Sequence, residues 1–127
     1  MLYVFLVGLG GFLGSSSRYL LSGLTQQLTP SLQFPTGTLL VNLVGCAIIG
    51  ILSELADSRG ALTPEARSFL VIGVLGGFTT FSSFANETLN LMRQGQLIPT
   101  GLNILFNVGL GVLGVWLGRL LAHSIWR

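Results

Sequence analysis

The sequence predicts an all-α membrane protein in which four transmembrane helices account for nearly all of the 127 residues. Only 8% of the residues are charged, six Arg and four acids with no Lys, whereas about a quarter are charged in a soluble domain. The mean hydropathy is +0.78, and short polar segments separate four apolar runs that are long enough to span a bilayer. A chain this apolar is not disordered, and its few basic groups provide no patch that would bind nucleic acid.

The predicted spans cover about residues 2–24, 36–53, 66–92 and 98–122, so that residues 1–127 form a single domain. The first span is followed by a turn that contains Pro30 and Pro35, two residues typical of a loop. The second span is followed by the most charged loop, which contains Glu54 and Asp57. At its end Thr63 and Pro64 have the order of an N-cap and a first helical residue.

Three pairs of glycines are spaced four residues apart, and each pair therefore lies on one face of a helix: Gly10 with Gly14, Gly73 with Gly77, and Gly114 with Gly118. Helices in lipid associate through close backbone packing, because hydrophobicity alone does not hold them together. We therefore expect these glycines to lie where helices touch.

Polar side chains are concentrated in the third span, where each is costly unless it faces protein or water. Residues 76–84 read Gly-Gly-Phe-Thr-Thr-Phe-Ser-Ser-Phe. The residues Thr80, Ser83, Glu87 and Asn90 are three, four and three positions apart and form a polar stripe on one helical face. Paired glycines and Thr side chains favour either a helix broken at mid-membrane, with free backbone carbonyls, or an ordinary kinked helix.

The second and fourth spans contribute amide side chains. Asn42 lies in the middle of the second span, and Asn103 and Asn107 are one turn apart in the fourth. Asn42 predicts either an interhelical hydrogen bond or an N–H donor that lines a pathway. With hydroxyls and electropositive ring edges beside them, such donors suit a small anion better than a cation. His123 is terminal and alone, so the chain offers no nucleophile with a base and is not predicted to be an enzyme.

Two segments carry a resemblance to a known family. Residues 37–45, which read Gly-Thr-Leu-Leu-Val-Asn-Leu-Val-Gly, and residues 76–84, followed by Glu87, resemble the Fluc (CrcB) fluoride channels. The number of spans, the length and the early Gly14-xxx-Arg18 agree with the same family. One departure is Gly111, which stands where many members of the family have Ser.

The resemblance implies an antiparallel, dual-topology homodimer with two fluoride pores and a structural sodium ion on the dimer axis. The backbone carbonyls of Gly76 and Thr79 from each subunit would hold the sodium. Arg18 matches an arginine near the aqueous vestibule. The pore residues, taken with Asn107 from the polar stripe of the fourth span, would be Asn42, Thr80, Phe81, Ser82, Ser83 and Phe84.

The function that this resemblance implies is passive export of fluoride across a bacterial inner membrane. The expected partners are fluoride, the lipid bilayer and a second copy of the chain. The alternative is a proton-coupled small multidrug exporter, which needs a carboxylate in its first helix. The first span contains no acid, and Glu87 lies late in the third.

The arginines only weakly favour one orientation in the membrane. Four spans place the N-terminus, the second loop and the C-terminus on one side. That side has four arginines and the other side has two: Arg59, Arg67, Arg119 and Arg127 against Arg18 and Arg93. A difference this small is compatible with both orientations, as the resemblance implies.

Overall fold

The computed structural model describes residues 1–30 and 33–126, and this part of the chain is helical without a β-strand. The four long helices are α1 (Leu2–Leu28), α2 (Thr36–Arg59), α3 (Pro64–Arg93) and α4 (Leu97–Ile125). Each is long and apolar enough to cross a membrane, which confirms the predicted all-α class with four spanning helices. Arg127, which enters the orientation argument, lies outside the described residues.

The first two helices are longer than the predicted spans, because polar residues near their ends are bonded within the helix or to a neighbour. α1 continues to Leu28, and the Thr25 hydroxyl donates to the Leu21 carbonyl at 2.7 Å. α2 continues to Arg59 through residues predicted to be a loop. It stops at Gly60, whose φ of 58° is the left-handed conformation that commonly ends a helix.

Charged residues in the last turns of α2 pair with α4, which corrects the prediction that a loop begins at these charges. Arg119 donates to Asp57 Oδ2 at 2.9 Å, and its other terminal nitrogen lies 3.5 Å from Glu54 Oε2. His123 Nδ1 lies 3.2 Å from Glu54 Oε1. These four residues form a charged cluster where the carboxyl ends of α2 and α4 meet.

The third and fourth helices begin slightly before the predicted spans. Thr63 is the N-cap of α3, and its hydroxyl oxygen accepts the N–H of Ala66 at 3.2 Å, while Pro64 occupies the first turn. This confirms the predicted helix start. α4 begins at Leu97 after a turn in which Gly95 has a φ of 73°, a conformation that favours glycine.

The helices pack as two main pairs, α1 on the first half of α3 and α2 on the second half of α4, and α1 also touches α2. In the first pair the backbones are in contact. A Cβ atom on Gly14 would overlap the carbonyl of Val74, and Gly10 is also too close to α3 to carry one. Gly73 and Gly77 are crowded from the α3 side as well, although less so, because an added Cβ atom would lie 2.9 and 2.6 Å from the nearest atoms of α1. The predicted packing role of these glycines is therefore confirmed.

Glycines also set the distance between α2 and α4. A Cβ atom on Gly50 would overlap the carbonyl of Val115, and one on Gly118 would overlap the carbonyl of Ala47. Gly114 is less crowded, since the nearest atom would be 3.5 Å away, an ordinary contact distance. The predicted close contact thus holds for Gly118 and is weaker for Gly114.

Among the described residues, two stretches are π-helical, Ser68–Leu75 in α3 and Phe106–Leu110 in α4. π-helical turns are rare and are frequent at functional sites. The first ends directly before residues 76–84, and the second contains Asn107. Both irregular stretches therefore border the polar region of the bundle.

Candidate functional site

α3 is broken near the middle, between Phe78 and Phe81. Thr79 and Thr80 are extended, with φ and ψ of −83° and 157° and of −150° and 118°. The helix restarts at Phe81, and Thr80 caps it, because the Thr80 hydroxyl oxygen accepts the N–H of Ser83 at 3.2 Å. Of the two conformations compatible with the sequence, the structure adopts the broken helix.

The break takes the usual hydrogen-bond donors away from the backbone carbonyls of Gly76 and Thr79. In an unbroken helix, the carbonyls of Gly76 and Thr79 would accept the N–H groups four residues later. Here the N–H groups of Thr80 and Ser83 donate instead to the side chains of Asn42 and Thr80, at 2.9 and 3.2 Å. Both Gly76 and Thr79 line the same open groove.

Asn42, in the middle of α2, is bonded to both backbone groups of Thr80. Its Oδ1 accepts the Thr80 N–H at 2.9 Å, and its Nδ2 donates to the Thr80 carbonyl at 3.1 Å. Nδ2 also donates to Asn107 Oδ1 at 2.9 Å. The interhelical hydrogen bond that the sequence suggests for Asn42 is therefore present, and both of its N–H groups are engaged.

A groove of about 380 Å³ opens at the break, and none of the described residues that line it is charged. It brings together five of the predicted pore residues: Asn42, Thr80, Phe81, Phe84 and Asn107. The rings of Phe81 and Phe84 meet edge to face, with centroids 5.5 Å apart and planes at 62°. Phe84 is 8% exposed and Phe81 is 78% exposed, so one ring is fixed in the core and the other projects from it.

A second groove, of about 430 Å³, is polar and contains one basic and one acidic side chain. Its lining residues are Ser15, Arg18, Tyr19, Ser22, Thr38, Thr80, Ser83 and Glu87. Glu87 Oε1 accepts the Thr38 hydroxyl at 2.6 Å, whereas Glu87 Oε2 is buried and has no hydrogen-bond partner among the described residues. Thr80 lines both grooves, so the two meet at the break.

The predicted site residues thus fall into two groups, one in each groove. Ser82 is the exception, because it is exposed and lines neither groove, although its Oγ lies 3.4 Å from the Thr80 hydroxyl. Thr38, the partner of Glu87, is absent from the predicted site residues. Its position one turn before Asn42, on the same helical face, is the signal that could have included it.

Gly45 fixes how closely α2 approaches the break. A Cβ atom there would overlap the Cγ2 methyl of Thr79, which a β-branched side chain cannot easily turn away. We expect Gly45→Ala to lower the free energy of unfolding by about 1–3 kcal/mol. Adding Thr79→Ser should recover most of that loss, because it removes the methyl and keeps the hydroxyl that donates to the Leu75 carbonyl. Thermal unfolding in detergent measures both variants, and equal unfolding temperatures for the single and double variants would contradict this contact.

Comparison with known proteins gives one consistent family. Residues 5–119 match the family described as CrcB-like protein, Camphor Resistance (CrcB). The chain is 42% identical over 118 residues to a protein of Methylobacillus flagellatus, covering 93% of this chain and 92% of the relative. It is 46% identical over 114 residues to a protein of Elusimicrobium minutum, covering 90% and 88%. It is 44% identical over 124 residues to a protein of Methanococcus maripaludis, covering 97% and 98%.

Each of these three relatives is named fluoride-specific ion channel FluC. The resemblance noted in residues 37–45 and 76–84 therefore extends along nearly the whole chain. Because the family match and the identities both cover most of its length, this chain belongs to the CrcB family.

Proposed function

We propose that this chain forms a fluoride channel that lets the anion leave the cytoplasm passively through the inner membrane. The names of the relatives support a fluoride channel, and the matches cover at least 88% of both chains. The observation that carries the proposal is the break in α3, where Asn42 and the rings of Phe81 and Phe84 line one uncharged groove. The prediction that the chain is not an enzyme agrees with a family whose members are named as ion channels.

The groove at the break offers an anion hydrogen-bond donors instead of charges. N–H groups, hydroxyls and electropositive ring edges can replace the water around a small anion. Both N–H groups of Asn42 are already engaged, so an ion that reaches Asn42 has to displace the Thr80 carbonyl or the Asn107 oxygen. Fluoride binds water more tightly than the larger chloride ion does, so the path favours fluoride where its donors replace that water closely.

A second copy of the chain completes the proposed pore. In a single copy the groove is open, and the ring of Phe81 beside it is 78% exposed. We adopt the antiparallel homodimer that the sequence resemblance implies, with two pores that are each lined by residues of both subunits. The second groove, with Arg18 and Glu87, would serve as the aqueous vestibule.

The proposed dimer would also hold a structural sodium ion through backbone carbonyls. The residues present fit such an ion, because the carbonyls of Gly76 and Thr79 have lost their usual helical donors and both residues line one groove. Two carbonyl oxygens are too few ligands for a hard cation such as sodium. The second copy of the chain would supply two more carbonyl oxygens, from its own Gly76 and Thr79. The described residues contain no cluster of three His, Cys, Asp or Glu that could hold a metal instead. The ion would supply positive charge between the two breaks.

The membrane potential is sufficient to drive this export without coupling to another ion. A potential that is negative inside favours outward movement of an anion by about 2.3 kcal/mol per charge per 100 mV. Proton-coupled export, the alternative, gains no support, since α1 contains no Asp or Glu and the relatives are named as ion channels.

A pH gradient distinguishes the two mechanisms. In liposomes that contain the purified protein and an outward fluoride gradient, we expect the same fluoride release with and without a pH gradient. The internal and external pH values should be neutral or alkaline, where little HF forms and leaks through the lipid. Release that requires the pH gradient would contradict a channel.

Orientation in the membrane can be biased to test the proposed dual topology. Two Lys added beside Arg93 and two Lys added beside Arg59 should favour opposite orientations, because Lys and Arg near helix ends remain on the cytoplasmic side. We expect each variant alone to transport less fluoride and the co-expressed pair to recover transport, with Gln insertions at the same places as controls. Full transport by each Lys variant alone would exclude a dimer that needs both orientations.

A further inference from the structure

Asn103 in α4 is an amide buried at the centre of the fold and away from both grooves. It is 1% exposed, and only one other large side chain in the described residues, Val41, is buried to this degree. A buried amide in a membrane-spanning helix is costly unless its polar atoms are bonded. Its Nδ2 donates to Thr88 Oγ1 at 2.9 Å, and its Oδ1 accepts from Asn107 Nδ2 at 3.0 Å. Asn103 therefore acts through other residues and not by touching an ion.

Asn103 belongs to a chain of hydrogen bonds that begins at the break in α3. Asn42 donates to Asn107 at 2.9 Å, Asn107 to Asn103 at 3.0 Å, and Asn103 to Thr88 at 2.9 Å. Thr88 in turn donates to the carbonyl of Phe84 at 2.7 Å. The side chains of Asn42, Asn107, Asn103 and Thr88 are termed the amide relay. The relay joins α2 and α4 to the second half of α3.

Backbone groups fix the direction of every bond in the amide relay. At the break, the N–H of Thr80 can only donate, so the oxygen of Asn42 faces it and the NH₂ of Asn42 faces Asn107. In the middle of the relay, the backbone carbonyl of Asn103 can only accept, and it receives the NH₂ of Asn107 at 3.0 Å. At the far end, the Phe84 carbonyl accepts the Thr88 hydroxyl, so Thr88 Oγ1 accepts from Asn103. Rotating any one of the three side-chain amides by 180° would bring two donors or two acceptors into contact, which is unfavourable. The amide relay therefore has a single orientation.

We propose that Asn103 is a positioning residue for the fluoride path: through Asn107 it holds the Asn42 amide in place against both backbone groups of Thr80. This inference rests on the proposed function, because it gives Asn42 a place beside the permeating ion. Without Asn103, Asn107 keeps a single acceptor, the backbone carbonyl of residue 103. The Asn107 side chain then gains freedom to turn, and the Asn42 NH₂ loses one of its two acceptors and keeps only the Thr80 carbonyl.

Three variants separate positioning from mere stabilisation. Asn103→Leu removes the amide and keeps a side chain of the same branching and number of heavy atoms. The double variant Asn103→Leu with Thr88→Val also removes the hydroxyl that would be left without its donor. Thr100→Val is the matched control, because Thr100 is buried on the same helix and its hydroxyl donates to the carbonyl of Gln96, the residue that directly precedes that helix. The readouts are fluoride efflux from liposomes, thermal unfolding, and hydrogen exchange of the Thr80 amide.

We expect Asn103→Leu to slow fluoride efflux about tenfold, to unfold at a lower temperature and to speed exchange of the Thr80 amide. The double variant should regain thermal stability, since replacing both partners of a buried bond by apolar groups is nearly neutral. Its efflux should nevertheless remain low and its Thr80 amide should still exchange quickly. Thr100→Val should resemble the unchanged protein in efflux and in Thr80 exchange.

Normal efflux in folded Asn103→Leu, or efflux that recovers together with stability in the double variant, would overturn the positioning role. If Asn103→Leu does not fold, the double variant decides by the same criteria. Failure of the unchanged protein to conduct fluoride would overturn the proposed function instead. Even if the unchanged protein does not conduct fluoride, the rate of hydrogen exchange at the Thr80 amide still tests the amide relay. The same exchange rate in the double variant and in the unchanged protein would refute the relay.

Discussion

Replacing Asn42 by Asp is expected to slow fluoride efflux about a hundredfold or more. The carboxylate still accepts the Thr80 N–H but loses both donors, which serve the Thr80 carbonyl and the Asn107 oxygen. Each lost donor leaves an acceptor facing a negative oxygen, which costs about 1–3 kcal/mol. Because about 1.4 kcal/mol corresponds to a tenfold change, two such losses account for a decrease in efflux of about a hundredfold or more. The new negative charge also repels an anion from a groove that otherwise has none. A fluoride electrode outside loaded liposomes measures the effect.

The matched control for this variant is Gln94→Glu, the same amide-to-carboxylate change in the exposed turn between α3 and α4. It should leave fluoride efflux unchanged. Thermal unfolding and gel filtration establish whether the Asn42→Asp protein is folded. Efflux close to that of the unchanged protein, from a folded sample, would place the fluoride path away from the break.

Gly14→Ala is expected to prevent stable packing of α1 on α3. The added methyl would overlap the Val74 carbonyl and lie 2.8 Å from the Phe78 nitrogen. Backbone atoms cannot swing aside as the end of a side chain can, so the helices have to separate. We expect a loss of stability greater than the ~1–3 kcal/mol of ordinary overpacking. Because Phe78 directly precedes the break, the same displacement should also disturb Thr79 and slow fluoride efflux.

Gly8→Ala, on the same helix, is the control for this packing. A Cβ atom on Gly8 would meet nothing within 4 Å, and Ala favours a helix over Gly by about 1 kcal/mol. Its unfolding temperature should therefore be unchanged or higher, whereas that of Gly14→Ala should be much lower. Similar unfolding temperatures for the two variants would show that α1 and α3 do not make the close backbone contact.

The number and class of the helices could be predicted from composition because lipid allows few ways to satisfy the backbone. The helix ends could not be predicted as well. The charges of Glu54 and Asp57 predict the start of a loop. In the structure, however, both carboxylates pair with Arg119, which is more than 60 positions later in the sequence. A local pattern does not show that a distant arginine makes these charges acceptable within a helix.

The sequence predicts the break in α3 only as one of two conformations, because the hydrogen bonds that stabilise the break come from a residue far away in the sequence. Thr80 gives its N–H to Asn42, a residue 38 positions earlier on another helix. Once that N–H and that of Ser83 are taken by side chains, the carbonyls of Gly76 and Thr79 lose their usual donors. The glycines and threonines permit the break, and the amide of α2 stabilises it.

The grouping of the site residues shows where helical spacing is informative and where it is not. Ser83 and Glu87 are four positions apart and line the same groove, as spacing predicts. Ser82 is adjacent to Ser83 and so points about 100° away around the helix, which is why it lines neither groove. The link from Asn103 to Thr88 crosses between helices, and spacing within one helix does not predict it.

Simultaneous recording of fluoride and chloride release from liposomes tests the proposed channel most directly. Liposomes that contain the purified protein are loaded with potassium fluoride and potassium chloride, and the potassium carrier valinomycin is added to start the flow. A fluoride channel should release fluoride at once, because the anion balances the charge of the potassium that leaves, and it should retain chloride. Fluoride release no faster than from protein-free liposomes, with protein shown to be folded, would contradict the proposed function.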